Sequence, residues 1–103
     1  MTVDDLLPRL SGVASAPQVP LTPGTVGEQV VTAIAYDSRR VASGAIFVAV
    51  RGRHFDGARF APDAATRGAV LVVSGSTRPD GASVPWLTVA DARLALAELA
   101  AAF

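Results

Sequence analysis

Two segments of this sequence carry polar side chains suited to binding an anion. The segment Asp37–Arg39 follows an apolar run that ends at Tyr36, and Arg51–Gly57 follows a second apolar run. The second segment has the sequence RGRHFDG and includes the chain's only histidine, His54. Arginine side chains together with hydroxyl and amide donors bind phosphate and sugar oxygens. These two segments therefore predict a cleft that tolerates an anion, although the pattern by itself does not name the ligand.

Two interpretations of Asp37–Arg39 stay open. In the first, Asp37 forms an Asx-turn with backbone amides and Arg39 is solvated. In the second, the Ser38 hydroxyl and the neighbouring amides donate to a phosphate or sugar oxygen while the arginine supplies charge. A serine nucleophile would need an adjacent base, for which the sequence offers only His54. No catalytic residue is assigned on this evidence.

The loop after the second apolar run also leaves alternatives open. His54 is either a surface residue or a ligand contact, and Phe55 either stacks on a base or belongs to the core. Arg51 and Arg53 alternate in an extended segment, so only one of them faces a given crevice. A metal site is not expected, because the chain has no second histidine and Asp56 alone cannot complete a coordination set.

The first two predicted strands must position both polar segments. Gln29–Tyr36 alternates in polarity, which predicts a strand with Val31, Ala33 and Ala35 on one face. Ala45–Val50 is apolar throughout, a pattern typical of a central strand that is covered on both faces. If these strands are parallel neighbours, both polar segments leave the same carboxyl edge, where open α/β sheets bind their ligands.

The remaining pattern predicts an α/β fold, namely a small mixed, partly parallel sheet flanked by short helices. Gly57–Arg67 predicts a short helix with an Asp63–Arg67 ion pair, and Ala69–Val73 predicts the strand that completes a βαβ unit. Val84–Val89 predicts a last strand. The predicted final helix is capped by Thr88 or Asp91 and has a core-facing stripe consisting of Ala92, Leu96, Leu99 and Phe103.

Composition excludes several classes of function. At 103 residues the chain is expected to form one domain, and its zero net charge argues against nucleic acid as a partner. All nine basic residues are arginines, so neither a lysine-containing phosphate loop nor Schiff-base chemistry is present. There is no cysteine. Apolar runs fall short of the roughly 20 residues that cross a membrane, and no signal sequence is evident, so a cytoplasmic location is expected.

The pattern YDSRRV-x-SG-x-IFVAVRG-x-x-x-DG-x-x-F, followed by an alanine-rich helix, RGA and an apolar strand, resembles the N-terminal domain of the Mur ligases. Within that family it is most similar to the UDP-N-acetylmuramoyl-tripeptide synthetases, which add the third amino acid of the peptidoglycan stem. The resemblance runs from Val30 onward. The closing stretch VADARLALAELAAAF is similar to the helix that leads to the family's ATP-binding domain.

The resemblance implies roles for particular residues. The side chains expected to contact the uridine diphosphate are Tyr36, Ser38, Arg53, His54 and Phe55. The residues expected to shape the two loops are Asp37, Arg39, Gly44, Gly52, Asp56 and Gly57. Two positions depart from the family pattern: Ser43 stands where proline is usual, and Ala58 stands where histidine commonly follows Asp-Gly.

The resemblance also implies how the work of the ligase is divided. Residues 1–103 would be a single UDP-substrate-binding domain that is not catalytic alone, with the ATP-binding and C-terminal domains absent from it. No cofactor is expected in this chain, since ATP and Mg²⁺ would be held by the missing domain. The implied partners are UDP-N-acetylmuramoyl-peptide and the remaining ligase domains, with no nucleic acid or membrane. The alternatives are the N-terminal domain of the D-alanyl-D-alanine-adding ligase and a stand-alone nucleotide-binding module.

Overall fold

The computed structural model describes residues 2–12, 30–50, 57–76 and 84–103. Within these ranges the helices are α1 (Val3–Leu6), α2 (Ala61–Thr66) and α3 (Ala92–Ala102). The strands are β1 (Ala33–Ala35), β2 (Ala45–Ala49), β3 (Leu71–Ser74) and β4 (Trp86–Thr88). Short 3₁₀ turns cover Leu7–Arg9, Ser38–Arg40 and Gly57–Phe60.

The four strands form one parallel sheet in the order β1-β2-β3-β4. The register places Ala35 beside Phe47 and Val72 beside both Phe47 and Trp86. The α/β class predicted from the sequence is confirmed. Because neighbouring strands run in the same direction, the carboxyl ends of all four lie at one edge of the sheet.

Strand β2 lies inside the sheet, and all five of its residues are buried. Ile46 and Val48 belong to an apolar cluster that also contains the inward residues of α1 and α3. Phe47 belongs to a second cluster, on the opposite face, to which α2 contributes Ala61 and Ala64. The prediction that Ala45–Val50 forms a central strand covered on both faces is confirmed.

Side-chain caps begin two of the helices. Thr2 and Asp5 form a capping box on α1, in which each side chain accepts the other's backbone N–H. Asp91, rather than Thr88, caps α3 by accepting the N–H groups of Arg93 and Leu94 at 2.9 and 3.2 Å. These caps satisfy amide groups that have no partner within the helix.

The structure corrects two predictions about which side of an element a residue lies on. Val31 packs with Ile34 in the α1 and α3 cluster rather than with Ala33 and Ala35, because the strand begins only at Ala33 and the two-residue period does not extend back to Val31. Phe103 follows the end of α3 and is 52% exposed, so it is not part of a core-facing stripe.

Candidate functional site

The turn after β1 is held together by Asp37. Its carboxylate accepts the Arg39 backbone N–H at 3.0 Å and the Arg39 guanidinium at 3.1 and 2.8 Å. These hydrogen bonds, with that from the guanidinium the largest influence, lower the pKa of Asp37 from 3.8 to about 2. Asp37 therefore organises the 3₁₀ turn at Ser38–Arg40, as in the Asx-turn interpretation. That interpretation left Arg39 solvated, whereas its guanidinium forms an ion pair with Asp37.

Titration of Asp37 tests this geometry. Because its folded-state pKa is depressed, the ion pair stabilises the fold above the ordinary carboxyl pKa, and this contribution is lost as the pH falls through about 2. We expect the side-chain carboxyl resonance of Asp37 to titrate near pH 2 in NMR. Arg39→Ala should move the midpoint back toward the ordinary value of 3.8. A wild-type midpoint already in the ordinary range would contradict the ion pair.

The two predicted substrate contacts in this turn differ in exposure. Tyr36 is 68% exposed, immediately beyond the end of β1. Ser38 is buried, with 6% of its surface exposed, and its carbonyl accepts the Val41 N–H. The Tyr36 side chain is therefore accessible from solvent at this edge, whereas Ser38 is almost entirely inaccessible.

The chain returns from this turn to β2 through a closely packed glycine. Gly44 has a φ of +90°, and a Cβ at this position would lie 2.8 Å from Thr32 Oγ1. The Thr32 hydroxyl donates to the Ser43 carbonyl at 2.8 Å, and the Thr32 N–H donates to the Gly44 carbonyl at 2.9 Å. A larger side chain at position 44 would therefore displace the start of β2.

The residue before the second predicted loop lies at the same edge. β1 and β2 are parallel neighbours, so the turn after Ala35 and the end of β2 both lie at the carboxyl edge of the sheet. Five of the predicted residues lie outside the described part of the chain, and their roles stay predictions: Gly52, Arg53, His54, Phe55 and Asp56. Gly57 begins the 3₁₀ turn that leads into α2.

A cavity of about 340 Å³ also opens at this edge, a feature that the sequence analysis missed. Its lining comes from the ends of β2 and β3, the turn after β3, the connection between β4 and α3, and the beginning of α3: Ala49, Ser74, Gly75, Ser76, Ala90, Asp91, Ala92 and Arg93. Neither Tyr36 nor Ser38 is among its lining residues. The sequence did contain a weak signal for it, because short polar segments beginning at Ser74 and at Asp91 follow the third and fourth apolar runs.

Hydrogen bonds fix the wall of this cavity. The Ser74 side chain is buried, and its hydroxyl oxygen accepts the Ser76 N–H at 3.0 Å. The Ser76 carbonyl in turn accepts the Trp86 indole N–H at 2.9 Å and the Thr88 hydroxyl at 3.2 Å. The turn after β3 is thus attached to β4 by side chains as well as by the strand ladder.

In the described ranges, no three His, Cys, Asp or Glu side chains gather as a potential cation site. None of the helices in these ranges is long and apolar enough to cross a bilayer.

The parallel sheet, its carboxyl-edge turn and the adjoining cavity define an α/β domain of the class that binds ligands beyond its strand ends. The family model described as "Mur ligase family, catalytic domain" matches residues 30–103. The chain belongs to the Mur ligase family.

Individual relatives agree with this assignment. The chain is 44% identical over 104 residues to a UDP-N-acetylmuramyl-tripeptide synthetase of Roseiflexus sp. (strain RS-1), covering 100% of this chain and 19% of the relative. It is 49% identical over 84 residues to a UDP-N-acetylmuramoyl-L-alanyl-D-glutamate--2,6-diaminopimelate ligase of Brucella melitensis biotype 1, covering 81% of this chain and 17% of the relative. The chain therefore spans about a fifth of the length of these relatives.

Solved structures show the same fold. A crystal structure of MurF from Acinetobacter baumannii superposes with a TM-score of 0.71 at 31% sequence identity. The match covers 98% of this chain and 20% of the MurF chain.

Proposed function

We propose that this chain binds the UDP part of a UDP-N-acetylmuramoyl-dipeptide for an ATP-dependent ligase that adds the third stem-peptide amino acid in peptidoglycan synthesis. The names of the relatives from Roseiflexus and Brucella support this substrate and this step. In this proposal the chain recognises the substrate in the cytoplasm and is not catalytic alone.

The observation that carries the proposal is the position of the turn after β1. It lies at the carboxyl edge of a parallel sheet, beside the end of β2, and it presents Tyr36 to solvent. An exposed aromatic ring can stack on a nucleobase, a contact worth about 1–3 kcal/mol per base. Arg53 and His54 are proposed to bind the diphosphate, and Phe55 to pack beside the nucleotide.

The ATP and Mg²⁺ that such a ligase needs do not fit this chain. The sequence has no lysine for a phosphate loop, and the described residues hold no cluster of potential metal ligands. We therefore propose that further domains of the ligase hold both groups.

A second candidate is the ligase that adds D-alanyl-D-alanine, because the MurF structure shares the fold over nearly the whole chain. Sequence identity favours the third-residue step, at 44% and 49% for the two curated relatives against 31% for MurF. Assaying the longer ligase with diaminopimelate, lysine and D-alanyl-D-alanine would separate the two candidates. Incorporation of the dipeptide alone would contradict the proposed step.

Titration with UDP tests the binding site directly. We expect UDP to shift the backbone amide resonances of Tyr36, Ser38 and His54 in a ¹H–¹⁵N spectrum. Inorganic diphosphate should shift His54 and leave Tyr36 nearly unchanged, because it carries no base to stack. Shifts confined to residues 74–83 would contradict the proposed site.

Tyr36→Ala is expected to weaken UDP binding by about 5- to 150-fold, the equivalent of one lost stacking contact of about 1–3 kcal/mol. Phe103→Ala is the matched control, because it removes another exposed aromatic ring at the far end of α3. Equal UDP affinities for the two variants, measured by calorimetry, would exclude stacking on Tyr36.

A further inference from the structure

The cavity at the carboxyl edge lies where the chain leaves the sheet in two opposite directions. α2, which follows β2, packs on the face of the sheet that carries Phe47. α3, which follows β4, packs on the opposite face, which carries Ile46. Open α/β sheets bind ligands in crevices outside the carboxyl ends of their strands, at points where the connections diverge. The position of the cavity is therefore that of a ligand site.

Ser74 supplies a buried hydroxyl group to this cavity. It is a lining residue, although only 1% of its surface is exposed. Its oxygen accepts the Ser76 N–H at 3.0 Å, and no acceptor among the described residues takes the proton of the hydroxyl itself. A buried donor without a partner costs free energy. The Ser74 hydroxyl is therefore available to donate to an oxygen atom of a ligand.

Asp91 supplies an acceptor on the other side of the cavity. Its Oδ1 atom caps α3 by accepting the N–H groups of Arg93 and Leu94. Its Oδ2 atom has no donor in the part of the chain that the structure describes, and the residue is exposed. An ionised carboxylate only accepts hydrogen bonds. Oδ2 can therefore accept a hydroxyl group of a ligand.

The charge of the lining favours an uncharged group over a phosphate. The carboxylate of Asp91 already occupies the beginning of α3, where a helix would otherwise attract an anion. Among the lining residues, all of which lie in the described ranges, only Asp91 and Arg93 are charged, and their charges cancel. A group with two adjacent hydroxyls fits better, because one can donate to Asp91 while the other accepts from Ser74.

We propose that this cavity binds the two ring hydroxyl groups of a ribose, with Asp91 Oδ2 accepting one and Ser74 Oγ donating to the other. Acidic side chains hydrogen-bond ribose hydroxyls in the same way in α/β dinucleotide-binding domains. The inference rests on the proposed function, because the ribose is that of the UDP whose base stacks on Tyr36.

The register of the sheet places the two parts of the nucleoside next to each other. Ala35, which precedes Tyr36, lies beside Phe47 of β2. Ala49, two residues further along β2, lines the cavity and lies beside Ser74 of β3. Neighbouring strands are about 4.8 Å apart. The cavity therefore begins one strand away from the strand that leads to Tyr36.

Calorimetric titration of the chain with UDP and with 2′,3′-dideoxyuridine diphosphate tests the inference. We expect UDP to bind about 10- to 150-fold more tightly, the range typical of a hydrogen bond to a charged group. Equal affinities would overturn the ribose site and leave UDP binding at Tyr36 intact. An absence of UDP binding would overturn the proposed function and the ribose site together.

Asp91→Ser examines the acceptor without removing the helix cap. Serine is a good N-cap residue but has no second oxygen for a ligand. We expect this variant to lower the preference for UDP over the dideoxy analogue about 10-fold or more. Asp63→Ser is the matched control, because it removes an exposed carboxylate from the first turn of α2, outside the cavity lining. An undiminished preference in Asp91→Ser, or equal losses in the two variants, would overturn the inference.

Ser74→Ala and Tyr36→Ala separate sugar binding from base binding. Ser74→Ala should lower the preference for UDP over the dideoxy analogue about 2- to 10-fold, the range of a neutral hydrogen bond. Tyr36→Ala should weaken the binding of both nucleotides by the same factor, because both carry the uracil base. An unchanged preference in Ser74→Ala, or a preference abolished by Tyr36→Ala, would place the ribose hydroxyls outside this cavity and overturn the inference.

Discussion

Trp86→Ala is expected to lower the free energy of unfolding by about 3–5 kcal/mol, the cost typical of removing a large buried aromatic side chain. Trp86 is fully buried in the cluster on the α2 side of the sheet, and it is the largest residue of the core. Small domains are stable by only about 5–15 kcal/mol. The variant should therefore unfold at a much lower urea concentration or fail to fold. Far-UV circular dichroism is the suitable probe, because the only tryptophan is removed.

Trp86→Phe separates packing from hydrogen bonding at the same position. Phenylalanine keeps an aromatic ring in the core but removes the indole N–H that donates to the Ser76 carbonyl at 2.9 Å. The Thr88 hydroxyl still donates to that carbonyl, so we expect a smaller loss of about 1–2 kcal/mol. A Trp86→Ala loss below about 1 kcal/mol would show that this side chain does not fill the core as described.

The same hydrogen bond connects the core to the cavity at the carboxyl edge. Ser76 lines the cavity at the carboxyl edge, and its carbonyl is held by Trp86 and Thr88 of β4. Loosening this attachment in Trp86→Phe should raise amide hydrogen exchange in the turn at residues 74–76 more than in α2. The turn that forms part of the cavity wall is thus held in place by a buried side chain of β4.

The elements with the strongest local pattern could be predicted from the sequence. Ala45–Val50 is apolar at every position, a pattern typical of a strand covered on both sides, and β2 is such a strand. The Asp63–Arg67 pair also follows from helical spacing alone, and the structure places these groups 3.2 Å apart. The prediction of a common edge for the two polar segments rested on one assumption, that β1 and β2 are parallel neighbours, and the structure confirms that pairing.

Features that depend on distant contacts could not be predicted. The cavity joins Ala49, Ser74 and Asp91, and no local pattern indicates that the start of the last helix closes over the ends of two strands. The burial of Ser38 also depends on tertiary packing, since a polar turn residue is expected at the surface. The sequence pattern therefore locates the edge but not which of its groups a ligand can reach.

Gly68→Ala is expected to destabilise the protein by about 2–4 kcal/mol, combining left-handed backbone strain with a steric clash. Gly68 ends α2 with a φ of +101°, which residues with a Cβ rarely adopt. A Cβ there would lie 2.8 Å from Ser43 Cα, a backbone atom that cannot rotate away. Moving it would stretch the hydrogen bond from the Gly44 N–H to the Gly68 carbonyl, which is 2.9 Å long. We expect the melting temperature to fall by roughly 10–20 °C.

Gly75→Ala is the matched control for this substitution. Gly75 is not one of the described glycines with a positive φ. The nearest atom to an added Cβ would be the Val89 carbonyl oxygen, at 3.9 Å. Its free energy of unfolding should change by less than about 0.5 kcal/mol. Equal melting temperatures for the two alanine variants in calorimetry would contradict the close approach of α2 to the Ser43–Gly44 turn. That approach places the end of α2 against the start of β2. Its loss should therefore also disturb the pairing of β2 with β1, the strand that leads into the carboxyl-edge turn.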